Sequence, residues 1–141
     1  MAVRKANAVW EGNLKEGKGK MKVGSGVFEV PFSFGTRFAE EKGTNPEELI
    51  GASHAGCFSM AFSNILDGAG FTPTKVETEA DVLFEKTDAG FRITKITLKT
   101  KGVVPGIDKN KFLELAEAAK VGCPISNALK SVDIVLEAEL L

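Results

Sequence analysis

Two cysteines are the most reactive side chains in this sequence, and each lies in its own local setting. Cys57 lies in a segment with the apolar spacing of a helix, where a cysteine often serves simply as a small buried apolar side chain. Cys123 stands between Gly122 and Pro124, at the predicted N-cap of a short helix, where free N–H groups and the helix dipole favour a thiolate. The separation of 66 positions excludes a CxxC motif. Any partnership between the two sulfurs must therefore come from the fold.

A nucleophilic Cys57 needs a neighbour that lowers its pKa, because it lies about three turns into its helix, beyond the reach of the N-terminal dipole. His54, one turn earlier on the same face, is one candidate, although a lone histidine among apolar residues is more often a satisfied core residue. Arg37 is the other candidate. Its guanidinium stays charged and could stabilise both a thiolate and an oxygen on which charge develops. The residues alone leave both readings open.

Other chemistries have weaker support. His54 and Cys57 are neighbours on a helix and Cys123 could add a third metal ligand, but zinc sites normally show tighter pairs and a fourth ligand. A thiol-dependent hydrolase would need a His–Asp partner near Cys57, and the sequence places none there. Glu47 and Glu48 have an adequate structural explanation as acidic residues in a first helical turn. We therefore expect neither a metal nor a cofactor.

The composition restricts the class of protein. The chain has 141 residues, of which 43% are apolar and 26% charged, and its net charge is −1. This length predicts one domain over residues 1–141. Near-neutral charge and dispersed basic residues argue against nucleic-acid and anionic-membrane partners. The N-terminus has no apolar h-region, and no apolar run approaches the roughly 20 residues of a spanning helix. We expect a soluble, cytoplasmic protein without a membrane partner.

The elements that must position these side chains follow an α+β pattern. The strongest helix has Asn45 as N-cap, Pro46 at its first position and Glu48 three residues after the cap, and it ends at Gly68. Its few charges predict a buried central helix. Residues 35–43 are predicted to form a loop that carries Arg37. The remaining predicted elements are strands at 2–10, 19–23, 27–34, 76–86, 91–101 and 132–140, and helices at 109–122 and 124–129.

Four segments together resemble one family closely, the osmotically inducible protein C and organic hydroperoxide resistance proteins. They are Trp10-Glu11-Gly12 with the glycine-rich hairpin after it, Thr44-Asn45-Pro46-Glu47-Glu48-Leu49, His54-Ala55-Gly56-Cys57-Phe58-Ser59-Met60, and Gly122-Cys123-Pro124-Ile125-Ser126-Asn127. The likeness covers essentially the whole chain. The position of Arg37 and the His-Ala-Gly before Cys57 are more similar to the osmotically inducible branch.

The resemblance implies a thiol peroxidase that reduces organic hydroperoxides. Cys57 matches the cysteine that is oxidised to a sulfenic acid, and Cys123 matches the one that condenses with it. Arg37 matches the arginine that activates the first cysteine, and Glu47 the glutamate that holds this arginine. The implied fold is an intertwined homodimer with a large curved, mainly antiparallel sheet and two central helices. The implied reductant is a dithiol, for which a lipoylated protein is one candidate. The alternative is a non-catalytic redox-sensing or small-molecule-binding module that uses the same dimer cavity.

Helix geometry conflicts with a site built from one chain. Glu47 precedes Cys57 by ten positions, which in one unbroken helix is about 15 Å of rise. Either the helix breaks near Gly51, or the site is assembled from two chains. We expect the second, because small residues between Gly51 and Gly56 would let two helices approach closely. The chain that supplies Arg37 stays open. Four apolar residues flank the proposed catalytic residues: Phe38, Phe58, Met60 and Ile125. Either all four belong to the core, or some line the mouth of the site and favour bulky apolar peroxides over hydrogen peroxide.

Overall fold

The structure, a computed structural model, describes residues 1–141 and contains six strands and four helices. The chain divides into two compact units, residues 1–49 and residues 50–141. Each unit has its own three-stranded sheet. The predicted α+β class is confirmed. The single large sheet that the resemblance implies would need strands of two chains, and it stays a prediction.

The sheet of the first unit is an antiparallel meander of β1 (Ala6–Glu11), β2 (Lys18–Val23) and β3 (Glu29–Phe32). Gly19 pairs with Trp10 on one side and with Phe32 on the other. A Cβ atom at Gly19 would lie 2.6 Å from both rings. The two rings meet over this glycine with their centroids 5.3 Å apart. Position 19 therefore needs a residue without a side chain.

A short helix, α1 (Phe34–Phe38), occupies part of the segment that we predicted as a loop. Ser33 caps it by accepting a hydrogen bond from the N–H of Thr36, whose hydroxyl in turn accepts from the N–H of Ser33. This is a capping box with threonine in place of the usual glutamate or glutamine. The prediction missed the helix because no apolar periodicity follows so short a cap. Arg37 consequently lies in the last turn of a helix and not in a loop.

The long helix α2 (Pro46–Gly68) starts in the first unit and continues through the second without a break at Gly51. The Asn45 side chain accepts a hydrogen bond from the N–H of Glu48 at 2.9 Å, as the predicted cap requires. The prediction of a buried central helix holds along only one side of α2 in the single chain. One stripe is buried, comprising Glu47, Gly51, His54, Phe58, Phe62 and Leu66, whereas Ala52, Ser53, Gly56, Met60 and Asn64 are exposed.

The helix α2 is more apolar than we predicted from the sequence. An 18-residue window has a mean hydropathy of 1.2, so the helix could cross a membrane by length and composition. Small residues such as alanine raise this mean, although no continuous apolar run is present. Core helices of soluble proteins pass the same test, so this property alone is weak evidence for a membrane protein. Within the chain, 28% of the window is buried.

The sheet of the second unit contains β4 (Lys75–Thr87), β5 (Gly90–Val103) and β6 (Asp133–Leu140). The first two form an antiparallel hairpin with a bulge at Leu83/Phe84, and β6 pairs parallel to β5. The helix α2 approaches this sheet closely at Gly51, where a Cβ atom would lie 3.2 Å from the Val82 side chain. Gly51 thus faces a strand and not the exposed small-residue face of α2.

Two further helices complete the second unit, α3 (Lys109–Gly122) and α4 (Pro124–Ala128). The Asp108 side chain caps α3 by accepting from the N–H of Lys111 at 2.9 Å, as predicted. The rings of Phe62 on α2 and Phe112 on α3 meet edge to face at 5.1 Å. The core of this unit is formed by Phe58, Phe62, Leu66, Ile96, Leu98, Val104, Phe112, Leu115, Ala116, Ala119 and Cys123. The thiol of Cys123 is therefore part of the packed interior.

Candidate active site

The two cysteine sulfurs are neighbours in the second unit. Cys57 on α2 and Cys123 at the start of α4 have their Sγ atoms 3.2 Å apart, and both are free thiols. A disulfide has an S–S length of about 2.05 Å, so small side-chain movements would bring the two sulfurs to bonding distance. The fold thus joins two positions that are 66 residues apart. This arrangement permits reversible formation of a disulfide within one chain.

Cys123 terminates one helix and begins the next. Its N–H donates to the carbonyl of Ala119 at the end of α3, and its own carbonyl accepts from the N–H of Asn127 in α4. The predicted N-cap position is confirmed. Pro124 follows at the first position of α4, where a missing N–H removes no intrahelical hydrogen bond. The backbone on both sides of the sulfur is therefore fixed by helical hydrogen bonds.

The surroundings drive the pKa values of the two thiols in opposite directions. Burial raises the pKa of Cys57, and the neighbouring Cys123 sulfur raises it further. The N–H of Ile125 lowers it by less, so the pKa of Cys57 lies above its ordinary value. Burial also raises the pKa of Cys123, but the N–H of Ser126, the hydrogen bond with Cys57 and the Ser126 hydroxyl outweigh it. The pKa of Cys123 is therefore lowered. Although Cys123 closes no capping hydrogen bond, these donors favour the thiolate of Cys123 over that of Cys57.

The two sulfurs also differ in access to solvent. Cys57 is half-buried, whereas Cys123 has no exposed surface. A substrate that arrives from solvent therefore meets the Cys57 side chain. Cys123 combines the lower pKa with complete burial, which suits a thiolate that reacts with Cys57 and not with solvent.

His54 does not fill the role that we considered for it beside Cys57. It is completely buried, and its Nε2 lies 2.8 Å from the hydroxyl oxygen of Ser126 on α4. Burial lowers the pKa of His54, so the ring is neutral near pH 7. The other ring nitrogen, Nδ1, is buried without a hydrogen-bond partner. The sequence carried little signal for Ser126, because it lies 72 positions after His54 and no local pattern predicts a contact over that separation.

Arg37 and Glu47 form a bidentate ion pair within the first unit. Arg37 Nη2 lies 2.8 Å from Glu47 Oε1, and Arg37 Nε lies 3.1 and 3.3 Å from the two carboxylate oxygens. The Glu47 side chain is 9% exposed and that of Arg37 is 34% exposed. The guanidinium also lies over the Phe38 ring, 5.3 Å from its centroid. The structure thus brings together the two residues that the resemblance paired, with contacts on one edge and one face of the guanidinium group.

An apolar pocket of about 220 Å³ adjoins this arginine in the first unit. It is lined by Trp10, Leu14, Phe32, Ser33, Phe34, Arg37 and Phe38. Of the four apolar residues considered for a mouth, only Phe38 lines this pocket. Phe58 is fully buried in the core, so it is not at a mouth, while Met60 is 77% exposed and Ile125 packs against the core. The clustered aromatics at positions 32, 34 and 38 were the signal that could have revealed the pocket.

Comparisons with known proteins identify the family of this chain. The family model of OsmC-like proteins matches residues 39–137. Peroxiredoxin OsmC of Escherichia coli (strain K12) is 55% identical over 138 residues, covering 97% of this chain and 96% of that protein. Organic hydroperoxide resistance protein OhrB of Bacillus subtilis (strain 168) is 32% identical over 100 residues, covering 69% of this chain and 71% of that protein.

Solved structures extend the likeness to the fold. The crystal structure of OhrB of Bacillus subtilis has a TM-score of 0.74 at 27% identity and covers 97% of this chain and 98% of that one. A structure of an organic hydroperoxide resistance protein OsmC from Legionella pneumophila has a TM-score of 0.76 at 24% identity and covers 100% of both chains. The second similarity concerns the fold alone. Sequence and fold together establish that this chain belongs to the OsmC family.

Proposed function

We propose that this protein is a cysteine-based peroxidase that reduces organic hydroperoxides, with Cys57 as the attacking and Cys123 as the resolving thiol. The observation that carries the proposal is the 3.2 Å separation of the two sulfurs. A sulfenic acid formed at Cys57 has a second thiol within reach as soon as it appears. The names of the relatives, a peroxiredoxin and an organic hydroperoxide resistance protein, support the same activity.

The reaction has two covalent steps before the enzyme is reduced again. The Cys57 thiolate attacks the terminal oxygen of the hydroperoxide: an S–O bond forms, the O–O bond breaks, and the alcohol leaves after taking a proton from solvent. The sulfur of Cys123 then attacks the sulfur of the Cys57 sulfenic acid. An S–S bond forms, the S–O bond breaks, and the hydroxide leaves as water with the proton of the Cys123 thiol.

The division of roles follows from exposure and pKa. Cys57 is the thiol that solvent can reach, whereas Cys123 is fully buried. An external dithiol can therefore attack the disulfide only at Cys57, which expels Cys123. A thiol with a lowered pKa is the better leaving group, and Cys123 has this property. We propose a dithiol reductant for this step, and a lipoylated protein is the candidate that the family resemblance supplies.

Arg37 and Glu47 complete the site in this proposal. Because the surroundings of Cys57 raise its pKa, the attacking thiolate requires a nearby positive charge. The guanidinium of Arg37 stabilises the thiolate and the charge that develops on the peroxide oxygens. Glu47 accepts hydrogen bonds from Nε and Nη2 of this guanidinium and so fixes its orientation. Since both residues bind each other within one chain, one chain supplies both to a site.

We propose that the protein is a homodimer, and that Arg37 and Glu47 of one protomer belong to the site that contains Cys57 of the other. Glu47 and Cys57 lie ten positions apart in one unbroken helix, about 15 Å along its axis. The exposed face of α2 carries Ala52, Ser53 and Gly56, and a Cβ atom at Gly56 would meet nothing within 4 Å. Two such faces can approach closely when the helices are antiparallel. The Arg37–Glu47 pair of one protomer then serves the thiols of the other.

The apolar pocket beside Arg37 supports organic hydroperoxides as the substrate class. Aromatic residues line most of it, and the arginine provides a charged group at one side. An alkyl or aryl group of a hydroperoxide would lose contact with water there, which is worth about 0.8 kcal/mol per buried CH₂. Hydrogen peroxide has no group that gains from such burial.

In this proposal residues 1–141 act as one functional domain, because α2 belongs to both compact units and the relative from Escherichia coli matches 97% of the chain.

The proposed compartment is the cytoplasm, where thiols are kept reduced and a catalytic disulfide is transient. The two unbonded thiols are in keeping with this.

Single-turnover reactions under anaerobic conditions test the proposal. Reduced protein is mixed with one equivalent of cumene hydroperoxide, and free thiols and dimedone-trapped sulfenic acid are counted. The Cys57→Ser variant should consume no peroxide. The Cys123→Ser variant should consume one equivalent, accumulate the sulfenic acid and then stop or over-oxidise. If Cys57→Ser keeps the burst and Cys123→Ser loses it, the assignment is reversed.

A further inference from the structure

Four side chains that can donate or accept hydrogen bonds lie close together in the second unit. His54 Nε2 lies 2.8 Å from Ser126 Oγ, Ser126 follows Cys123 by three positions in the first turn of α4, and the Cys123 sulfur lies 3.2 Å from that of Cys57. His54 and Cys123 have no exposed surface, and Ser126 is 6% exposed. Of these four side chains, the mechanism above uses only the two cysteines. His54 and Ser126 are polar residues in the core without an assigned task.

The unpartnered His54 Nδ1 indicates which way the hydrogen bonds run. If the neutral ring carried its hydrogen on Nδ1, a buried N–H donor would have no acceptor, an arrangement that is rare in folded proteins. The hydrogen is therefore assigned to Nε2, which donates to the Ser126 oxygen. The Ser126 hydroxyl hydrogen is then free to donate onward. The Cys123 sulfur, at the N-cap three positions before Ser126, is an acceptor at the same end of the helix.

We propose that His54 and Ser126 are positioning residues for the resolving step, in which the imidazole holds the Ser126 hydroxyl as a hydrogen-bond donor to the Cys123 sulfur. This inference rests on the proposed function. It assigns to a buried histidine and serine the task of keeping Cys123 ready to attack, whereas Arg37 and Glu47 serve the attack of Cys57 on the peroxide.

The task arises at one moment of the cycle. Cys57 attacks the peroxide as the thiolate, so its conversion to a sulfenic acid leaves the proton of the thiol pair on Cys123. Cys123 must then lose its proton and attack, forming the S–S bond while the S–O bond breaks and hydroxide leaves. The hydroxide and the Cys123 proton form the water that is released. A hydroxyl aimed at the Cys123 sulfur stabilises its thiolate, and so raises the fraction of molecules ready to react.

The test separates the two covalent steps. Reduced wild-type protein and the Ser126→Ala variant react anaerobically with one equivalent of cumene hydroperoxide, and samples are quenched with dimedone over time. We expect sulfenic acid to form at a rate within about twofold of wild type. The rate of disulfide formation should fall by about tenfold or more, the scale of one hydrogen bond to a charged group. Trapped sulfenic acid and, with excess peroxide, sulfinic acid should increase accordingly.

Matched variants distinguish positioning from a general packing effect. Ser59 on α2 also has a part-buried hydroxyl, which donates to Thr78 at 2.8 Å, so Ser59→Ala removes a similar group away from the thiols. It should leave both rates unchanged. His54→Leu should slow the disulfide step, whereas His54→Gln should restore most of the rate because its amide N–H can still donate to Ser126. The histidine pair keeps the test valid if Ser126→Ala folds poorly.

A second measurement does not depend on peroxide turnover. The thiolate absorbance of the reduced protein at neutral pH should decrease in Ser126→Ala and His54→Leu relative to wild type and Ser59→Ala. Unchanged absorbance and an unchanged disulfide rate in folded Ser126→Ala would overturn the inference while leaving the peroxidase intact. Wild-type protein that forms no sulfenic acid would instead overturn the proposed function. In that case the absorbance would still show whether Ser126 donates a hydrogen bond to the Cys123 thiolate.

Discussion

Arg37 and Glu47 share a bidentate hydrogen-bonded ion pair, in which Nη2 lies 2.8 Å and Nε 3.1 Å from the same carboxylate oxygen. The carboxylate of Glu47 is almost fully buried. The Phe38 ring covers one face of the guanidinium and limits its rotation. The orientation of the arginine is therefore set before any substrate binds. Such preorganisation is valuable where charge develops during a reaction, because the donors need not rearrange.

Replacing Glu47 by glutamine should lower kcat/KM for cumene hydroperoxide by about tenfold to a hundredfold, the equivalent of ~1.5–3 kcal/mol for hydrogen bonds to a charged group. The amide keeps the shape of the side chain but loses its charge. Glu48→Gln is the matched control, since this neighbouring carboxylate is exposed and accepts from Thr44. Steady-state kinetics of both variants check the prediction. Equal effects of the two substitutions would contradict a special role for Glu47.

Subunit mixing tests whether the site is shared between chains. Cys57→Ser and Glu47→Ala homodimers should each have little or no activity. After subunit exchange, the heterodimer should regain activity, because one of its two sites combines an intact Cys57 with an intact Glu47 from the other chain. The expected maximum is about one quarter of the wild-type rate, since half of the dimers are mixed and each has one intact site, counted under random exchange of equal amounts.

Exchange must be verified independently, for example by mass spectrometry of differently tagged chains. If exchange is complete and activity does not return, Glu47 and Cys57 act within one chain. Because α2 is a single helix, that result would require a change of the helix during catalysis.

Trp10 lines the apolar pocket beside Arg37, so Trp10→Ala should reduce discrimination between substrates. We expect kcat/KM for cumene hydroperoxide to fall by about tenfold or more, the scale of losing contact with one large apolar side chain. The value for hydrogen peroxide should change by less than about threefold, because its attack needs no apolar contact. Phe28→Ala is a control, because this partly exposed aromatic residue lies outside the pocket. A parallel loss for both peroxides would show that Trp10 acts on folding or on Arg37 instead.

The lowered pKa of His54 predicts a loss of stability in acid. Burial disfavours the charged ring, so the unfolded chain binds a proton at His54 more readily than the folded chain. Stability therefore increases with pH across this window and decreases as the pH falls below about 6.5, the ordinary histidine pKa. His54→Gln lacks this contribution. Between about pH 7.5 and pH 5, the melting temperature of wild type should fall further than that of His54→Gln. Parallel curves would show that His54 does not titrate on unfolding.

The sequence allowed most elements of the fold to be predicted, because their signals are local. The Asn45 cap, Pro46 and the terminal glycine place α2 within a residue of its observed bounds. The runs of alternating apolar and polar residues locate the strands of both sheets. The missed helix α1 shows the limit of such signals: five residues closed by a Ser33–Thr36 box carry no periodicity that distinguishes them from a loop.

The site was harder to predict, because its contacts join distant positions. Nothing in the residues alone brings Cys57 to Cys123, or His54 to Ser126, and only the family resemblance paired Arg37 with Glu47. The directions in which the pKa values of the two thiols shift could not be predicted from the sequence either. We looked for a cation that would activate Cys57, whereas the single chain favours the thiolate at Cys123, through N–H and O–H donors that exist only once α4 has formed.

The joint between α3 and α4 has a mechanical consequence. Cys123 is held from behind by the last turn of one helix and from ahead by the first turn of the next. The sulfur can therefore travel only by rotation of its own side chain, and closing the gap to bonding length takes a movement of about 1 Å. Oxidation and reduction then leave the main chain in place. A reaction cycle that moves only a side chain needs no rearrangement of the helices, so the protein can complete it without exposing its core to water.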